Sequence, residues 1–507
     1  MTQPLRKIMV VGGGTAGWMC AAALSAAVPR TCEIVLIESE DIGTIGVGEA
    51  TVPAIRFFND QIGLDEAEMI RACEATFKLG IDFRGWGHKD NRYFHGFGDF
   101  GDHHEGISGY QIWRRLRDLG DDTPLDAYSL PTQMAYAGRF FPPNPDPRSP
   151  MHNYRYAFHF DASLYAAHLR KHCEARGVKR INARIGEVRL RPEDGFIDGV
   201  VLDDGRLETA DFFIDCSGFR GLLIEGALKT GYTDWSHWLP VDRAWAVPTE
   251  RTGSILPYTI SQAHESGWQW RIPLQHRTGN GYVYSSRFVD DDAARDILTR
   301  NLDAPTLKDP FQVRFTTGHR NRFWSKNCVC VGLASGFIEP LESTSINFIQ
   351  NVIVRFLEFY PTLNHAPVVE DQFNSLILSE YERVRDFIIL HYRLNSRTDG
   401  ELWRYCADMA IPDDLAARIA LFRYGGRTIE HERDSFKSPS WISIFHGQGV
   451  VPQTYDHLAD RIDADALKAL AAKRRREIAD IVPRLPAHDQ FIAAHCASPA
   501  FLKRQPA

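Results

Sequence analysis

The chain has 507 residues, with 58 Lys and Arg against 65 Asp and Glu, a formal charge of −7, and 44% hydrophobic residues. This is a globular composition with volume to enclose a cofactor, and its mildly acidic balance argues against nucleic acid as a partner. Nine cysteines, odd in number and without a CxxC pair, build neither a disulfide framework nor a metal site, so reduced thiols in a cytoplasmic protein are expected.

Arg6 and Lys7 ahead of the apolar stretch Ile8–Cys20 imitate a secretory leader, but Gly12-Gly13-Gly14 interrupts it. The same glycines have a better explanation. Lys7–Val11 reads as a buried strand, Gly12-Gly13-Gly14-Thr15-Ala16-Gly17 follows at once, and small residues run as a helix from Ala16 to Val28 before Pro29. A second strand, Glu33–Ile37, ends in Glu38. Strand, GxGxxG, helix, strand and acid in this order form a dinucleotide-binding unit. Gly12 permits the tight turn, Gly14 lets backbone approach a pyrophosphate, and Gly17 lets helix pack on strand. Thr15 and Ala16 complete the phosphate-binding turn at the helix N-terminus, and Glu38 accepts from a ribose hydroxyl.

Residues 141–150 hold prolines at 142, 143, 145, 147 and 150 and read as an extended surface connection. Glu187–Leu190 (with Val188 toward the cofactor), Phe196–Leu202 and Ala210–Asp215 read as a three-stranded meander returning to the dinucleotide. A third return is the buried strand Cys328–Leu333, with Leu333 at the cofactor. Ile346, Ile349, Ile353, Phe356 and Tyr360 then recur at helical spacing, which puts Ser343–Ser345 at a helix start with capping hydroxyls and unpaired N–H groups, an anion site. Helices are expected over Val369–Asn395 and Asp456–Val482, the basic run Lys473–Arg476 being a solvated face between helical stretches. No segment approaches the ~20 apolar residues of a membrane span.

Gly267-Trp268-Gln269-Trp270-Arg271-Ile272-Pro273 sets two tryptophans on one face of an extended segment. With the N-terminal glycines, it resembles the GWxWxIP signature of the flavin-dependent halogenases, the tryptophan halogenase family. Gly46–Pro53 (GVGEATVP), Phe77–Gly80 (FKLG), His95–Gly98 (HGFG) and Phe337–Thr344 (FIEPLEST) are similar to further motifs of that family. The resemblance implies an α/β fold, a Rossmann-type doubly wound FAD-binding sheet with an interwoven, largely helical substrate-binding module. The expected FAD module is 1–55, 155–230 and 325–360, and the substrate module 56–154, 231–324 and 361–507.

What the resemblance implies chemically is an enzyme that takes FADH2 from a separate NADH-dependent reductase and uses O2 to oxidise bound halide. The hypohalous acid formed reaches an aromatic substrate through a tunnel. Lys78 captures or hydrogen-bonds it, and Glu342, rather than Glu339, stabilises and deprotonates the arenium intermediate. Gly48, Ala50 and Ile346 join the cofactor residues, Thr344 and Ser345 hold halide through backbone N–H groups, and Ser343 bridges the two pockets. Trp268 and Trp270 shield the flavin. His95, Phe97 and Trp441 form the arene slot, although local sequence reads Trp441 equally well as core. Ser345 stands where tryptophan-specific members carry glycine, a change that puts chloride affinity in doubt and leaves bromide, chloride or both as the halide, with bromide the one it could favour. Arg433–Tyr455 shows no paired tyrosines to grip an amino acid, so free indole or a simple arene is expected as substrate, with free tryptophan and then arene hydroxylation as alternatives. A homodimer is the expected assembly.

Overall fold

A computed structural model describes residues 3–41 and 48–503. The chain forms two compact units: Met1–Ala75, Phe160–Asp242 and Arg314–Glu382 make the first, and Thr76–His159, Arg243–Val313 and Arg383–Ala507 the second.

The first unit is built on a six-stranded sheet in the order Trp324–Ser325, Cys328–Cys330, Phe212–Asp215, Lys7–Val11, Glu33–Glu38, Lys179–Asn182. All neighbours are parallel except the first pair. A parallel sheet covered on both faces needs unbroken apolar strands, and Ile8, Met9 and Val10 have no exposed surface. The helix Thr15–Ala27 is alanine-rich and buried from Gly17 to Leu24, packing on Ala162–Ala175 and Ser345–Glu358. This is a Rossmann-type doubly wound arrangement.

The expected meander needs one correction. Ile185–Leu190, Ile197–Leu202 and Leu207–Thr209 form the three-stranded antiparallel sheet, whereas Phe212–Asp215 leaves it to pair in parallel with Lys7–Val11. The reason lies in burial: Phe212–Asp215 is covered along its whole length, while Leu207–Thr209 is partly solvated. Asp215 then anchors the turn that follows, its carboxylate accepting from Ser217 N–H and Oγ and from the N–H groups of Leu223 and Ile224.

In the second unit, Arg243–Thr249, Thr278–Tyr284, Gly267–Pro273, Thr259–His264, Gly80–Arg84 and Arg92–Gly96 lie side by side. Trp270 is in register with Gly281. A Cβ on Gly281 would fall 2.0 Å from the Trp270 ring, so the indole lies across a strand position that only glycine leaves open. Helices supply most of the remainder, including Ser438–Gly447 and Ala464–Ile481. The run Lys473–Arg476 sits inside that last helix rather than between helices, with Lys473 and Arg474 both reaching Glu477. Residues 141–150 carry no helix or strand. Among the described residues no helix is long and apolar enough to cross a membrane, and all nine cysteines are buried thiols.

The glycine turn yields a paired test. A Cβ on Gly17 would lie 1.8 Å from the Gly12 carbonyl oxygen, whereas one on Gly14 meets nothing within 4 Å. Gly17→Ala is therefore expected to lower unfolding free energy by about 1–3 kcal/mol. Gly14→Ala should stay within about 0.5 kcal/mol of wild type yet weaken FAD binding, because the added methyl stands where a pyrophosphate would approach. Chemical denaturation and flavin-fluorescence titration of both variants measure the two effects.

Candidate active site

Gly12 takes φ 113°, a left-handed conformation suited to glycine, and its N–H donates to the Ile37 carbonyl. That pairing ties the turn to the strand carrying Glu38. The Glu38 carboxylate folds over the turn: a Cβ on Gly13 would stand 1.5 Å from Oε2. Trp18 Nε1 donates to this carboxylate at 3.3 Å and Arg180 Nε at 2.5 Å. Gly14 caps the helix Thr15–Ala27 with no side chain, so no side-chain acceptor takes up the first-turn N–H groups, and the space beside Gly14 is open. An anion is the natural acceptor there.

The turn Gly332–Ala334 closes on the same place, since a Cβ on Gly332 would touch Ala16 Cβ at 2.8 Å and the Ile349 side chain at 3.5 Å. Ala16, Leu333 and the helix bearing Ile346 are thus gathered around one glycine turn. Thr15 holds the start of its helix through a hydroxyl donated to the Ala162 carbonyl at 3.4 Å. Gly48, at φ 84°, and Ala50 stand at the short strand Glu49–Ala50. Gly46 and Val47 lie outside the described residues. Val188, in register with Val200 on the meander, belongs to a different sheet from the glycine turn.

A second helix start in the first unit has a different character. Pro340–Glu342 is one turn of 3₁₀ helix, Ser343 follows at φ 61°, and the helix Ser345–Glu358 begins after Thr344. Glu342 and Thr344 have no exposed surface. A left-handed serine is strained by about 1 kcal/mol or more, and here it turns the chain sharply between the buried Glu342 and the helix. Thr344 does not supply the expected hydroxyl cap. Thr344 adopts αR backbone rather than the extended form of a capping residue, and it makes no side-chain cap hydrogen bond. Its buried Oγ1 has no hydrogen-bond partner among the described residues. A buried orphan hydroxyl costs about 1–3 kcal/mol, and beside a helix N-terminus it fits a small anion.

In the second unit, Lys78 ends the three-residue strand Thr76–Lys78, which pairs antiparallel with Ala157–Phe160. The lysine is wholly buried, with Nζ 5.3 Å from the Phe97 ring centroid. Phe77, pointing to the opposite face, is caged by Phe140 at 4.0 Å, Tyr156, Phe158 and Phe491. Beyond Phe97 the rings continue: His95 at 6.1 Å, then Phe387 and Phe436 against His95, with Trp441 5.1 Å from Phe387. Phe387 and Phe436 stack at 4.0 Å. The sequence analysis names His95, Phe97 and Trp441 but not this stacked pair. Phe387 lies in the long helix Pro367–Arg393 and Phe436 just before Ser438–Gly447, where neither carries a motif. Trp268 and Trp270 are buried with ring centroids 6.1 Å apart.

Comparison with known proteins decides what these features belong to. A family model for tryptophan halogenase matches residues 7–464. The chain belongs to the tryptophan halogenase family. Tryptophan 7-halogenase RebH of Lentzea aerocolonigenes is 33% identical, with 96% of this chain and 98% of that protein covered. A flavin-dependent halogenase from Xanthomonas campestris superposes with a TM-score of 0.94 at 43% identity, covering 98% of this chain and 99% of that one. BrvH, a flavin-dependent halogenase from Brevundimonas sp. BAL3, gives 0.93 at 44% identity, with 97% and 99% covered. As a flavin-dependent halogenase, the protein is an enzyme that uses FADH2 and halide to halogenate an aromatic substrate, with a partner reductase supplying the reduced flavin.

The halogenase turn at Ser343 yields a prediction. Ser343→Gly removes the left-handed strain and should raise unfolding free energy by up to about 1 kcal/mol. If the strained turn holds Glu342 in place, the same variant should lose about tenfold in kcat. Denaturant unfolding and product formation on one preparation measure both.

Proposed function

We propose that this halogenase acts on a small electron-rich arene such as free indole, with Lys78 and Glu342 as its catalytic residues and bromide favoured over chloride. The observation that carries this reading is the unbroken ring wall from Phe97 through His95, Phe436 and Phe387 to Trp441, with the buried Lys78 ammonium over its first ring. Such a wall offers a flat apolar arene edge and face contacts.

The first unit fits FAD. Gly12, Gly14, Thr15, Ala16 and Gly17 offer the open helix N-terminus to the pyrophosphate, and Glu38 accepts from the ribose. Gly48, Ala50, Leu333 and Ile346 are assigned to the remainder of the cofactor. When bound, reduced FAD supplies, together with O2, the two-electron oxidation of halide to hypohalous acid. Trp268 and Trp270 are assigned the part of keeping the arene from the flavin, so that halide is oxidised there. The N–H groups of Thr344 and Ser345 and the orphan Thr344 hydroxyl hold the halide. The Cβ and hydroxyl of Ser345 alter a halide contact that glycine would leave open, which puts chloride binding in doubt; bromide, less strongly hydrated and more easily oxidised, is the halide we assign as favoured.

Lys78 holds a proton at Nζ and donates it in a hydrogen bond to the oxygen of hypohalous acid. That interaction draws electron density from the halogen and makes it electrophilic. As the carbon–halogen bond forms, the oxygen–halogen bond breaks and the leaving oxygen takes the Lys78 Nζ proton to depart as water; the proton that Glu342 collects from the ring later restores the lysine. The Glu342 carboxylate takes the proton lost from the ring carbon. Ser343 positions Glu342. The nine buried thiols suit a cytoplasmic enzyme.

The test is one incubation of protein, FAD, NADH, a flavin reductase and indole or tryptophan, with chloride or bromide, read by mass spectrometry. A halogen isotope doublet on indole is expected, stronger with bromide and stronger than on tryptophan. Lys78→Ala and Glu342→Gln should each reduce it by about a hundredfold or more. A product gaining one oxygen and no halogen would overturn the reading.

A further inference from the structure

We infer that His159 is a positioning residue for Lys78, acting through Thr76 at the head of the lysine's own strand. This rests on the assignment of Lys78 as catalytic. His159 has no exposed surface. Its Nδ1 lies 3.0 Å from Thr76 Oγ1 and its Nε2 2.9 Å from Thr259 Oγ1. Thr76 Oγ1 also lies 2.6 Å from the Pro273 carbonyl, an acceptor that can only receive the hydroxyl proton. A hydroxyl has one proton, so with it given to Pro273, Thr76 must accept from His159. His159 is therefore protonated on Nδ1, and its bare Nε2 accepts from the Thr259 hydroxyl.

The bonds form a single directional chain: Thr259 O–H to His159 Nε2, His159 Nδ1–H to Thr76 Oγ1, and Thr76 O–H to the Pro273 carbonyl. Pro273 closes the strand of Trp268 and Trp270. The chain thus ties that strand to the lysine strand through four groups whose donors and acceptors are all matched. Burial holds the His159 imidazole well below its ordinary pKa, and Lys78 and His488, the titratable groups that face it, push the same way. A neutral imidazole completes the chain and adds no positive charge beside the lysine ammonium.

Geometry connects the chain to Lys78 directly. His159 is in register with Thr76, and Thr76 and Lys78 project from one face of their strand. A strand of three residues has few ladder hydrogen bonds with which to resist rotation, so side chains must hold it. The backbone is held independently by His488, whose Nε2 accepts from the Phe77 N–H at 3.1 Å. His488 Nδ1–H donates to the Ile255 carbonyl at 3.0 Å, and burial draws this imidazole to about 4. The two histidines fix the strand differently: His488 its backbone, His159 the face on which Lys78 stands.

The distinguishing experiment is single-turnover halogenation with enzyme in excess over FADH2, measuring halogenated product per flavin oxidised and escaped oxidant trapped by thionitrobenzoate. With folded enzyme, titrated for each variant, kept in saturating excess over FADH2, this coupling ratio does not depend on how much of the preparation is folded, so a loss of folded enzyme alone leaves it unchanged. Thr76→Val keeps the side-chain shape and breaks the chain; it should lower the ratio by about threefold or more, raise escaped oxidant correspondingly, and leave the arene KM within about twofold. Thr76→Ser restores the hydroxyl and should return the ratio to the wild-type value, and His159→Phe should behave as Thr76→Val. Lys78→Ala, run in parallel, should give no product. A Thr76→Val ratio equal to wild type beside an inactive Lys78→Ala overturns the inference alone. Undiminished product from Lys78→Ala overturns the assignment of Lys78 and the inference with it.

Discussion

The strand of Lys78 in the second unit is organised around the burial of a charge. Lys78 has no exposed surface, and an ammonium removed from water costs several kcal/mol unless its surroundings are fixed to receive it. A flexible strand would let the side chain relax toward solvent. The protein prevents this with a rigid frame: rings around Phe77 on one face, paired hydroxyls and imidazole on the other, and the Phe97 face over which Nζ rests. The aromatic wall beyond Phe97 has a second effect, since it excludes water and so strengthens whatever electrostatic interaction the ammonium makes. Burial, which by itself disfavours an ammonium, is the condition under which an N–H donor has large leverage.

The first unit carries two helix N-termini of unlike construction, each proposed to receive an anion. At Thr15–Ala27 the solution is emptiness: Gly14 caps without a side chain and leaves the approach open. At Ser345–Glu358 it is enclosure, for Thr344 is buried, its hydroxyl unsatisfied, and Ser343 is forced into a left-handed turn. A long flexible diphosphate needs the first kind of site. The second kind suits the small spherical halide proposed for it, since a buried donor and N–H dipoles can replace a hydration shell.

How far the sequence carries the reader depends on whether the chemistry is local. The glycine turn, the strand that ends in Glu38, and the helix after Ser345 are legible because each is a short pattern with one structural solution. Phe212–Asp215 is misassigned to the meander because alternation alone does not tell a third antiparallel strand from the central parallel strand a few residues on; burial on both faces decides it. Thr344 is misread as a cap because Ser and Thr at a helix start usually are caps, and the left-handed Ser343 that changes the backbone of Thr344 is invisible in the letters. Phe387 and Phe436 are missed for a third reason: each is an ordinary apolar residue in a helical or loop context, and only tertiary packing brings both rings to His95.

The paired-tryptophan motif shows how a signature can be recognised without being understood. Trp268 and Trp270 stand on one face, and their indoles need an area that neighbouring side chains would fill. On one side Trp270 is opposite Gly281, whose missing Cβ makes the space, and on the other it is in register with Ser261, a small residue. The large Trp270 ring is thus matched by small residues on the two strands beside it, neither of which belongs to the motif. The final proline has a role of the same kind. Its lack of an N–H suits the end of a strand, while its carbonyl remains available and accepts from Thr76. The motif is therefore half of a construction whose other half lies on the neighbouring strands and on the strand of Lys78, which ties the rings to the lysine through packing and one hydrogen-bonded carbonyl.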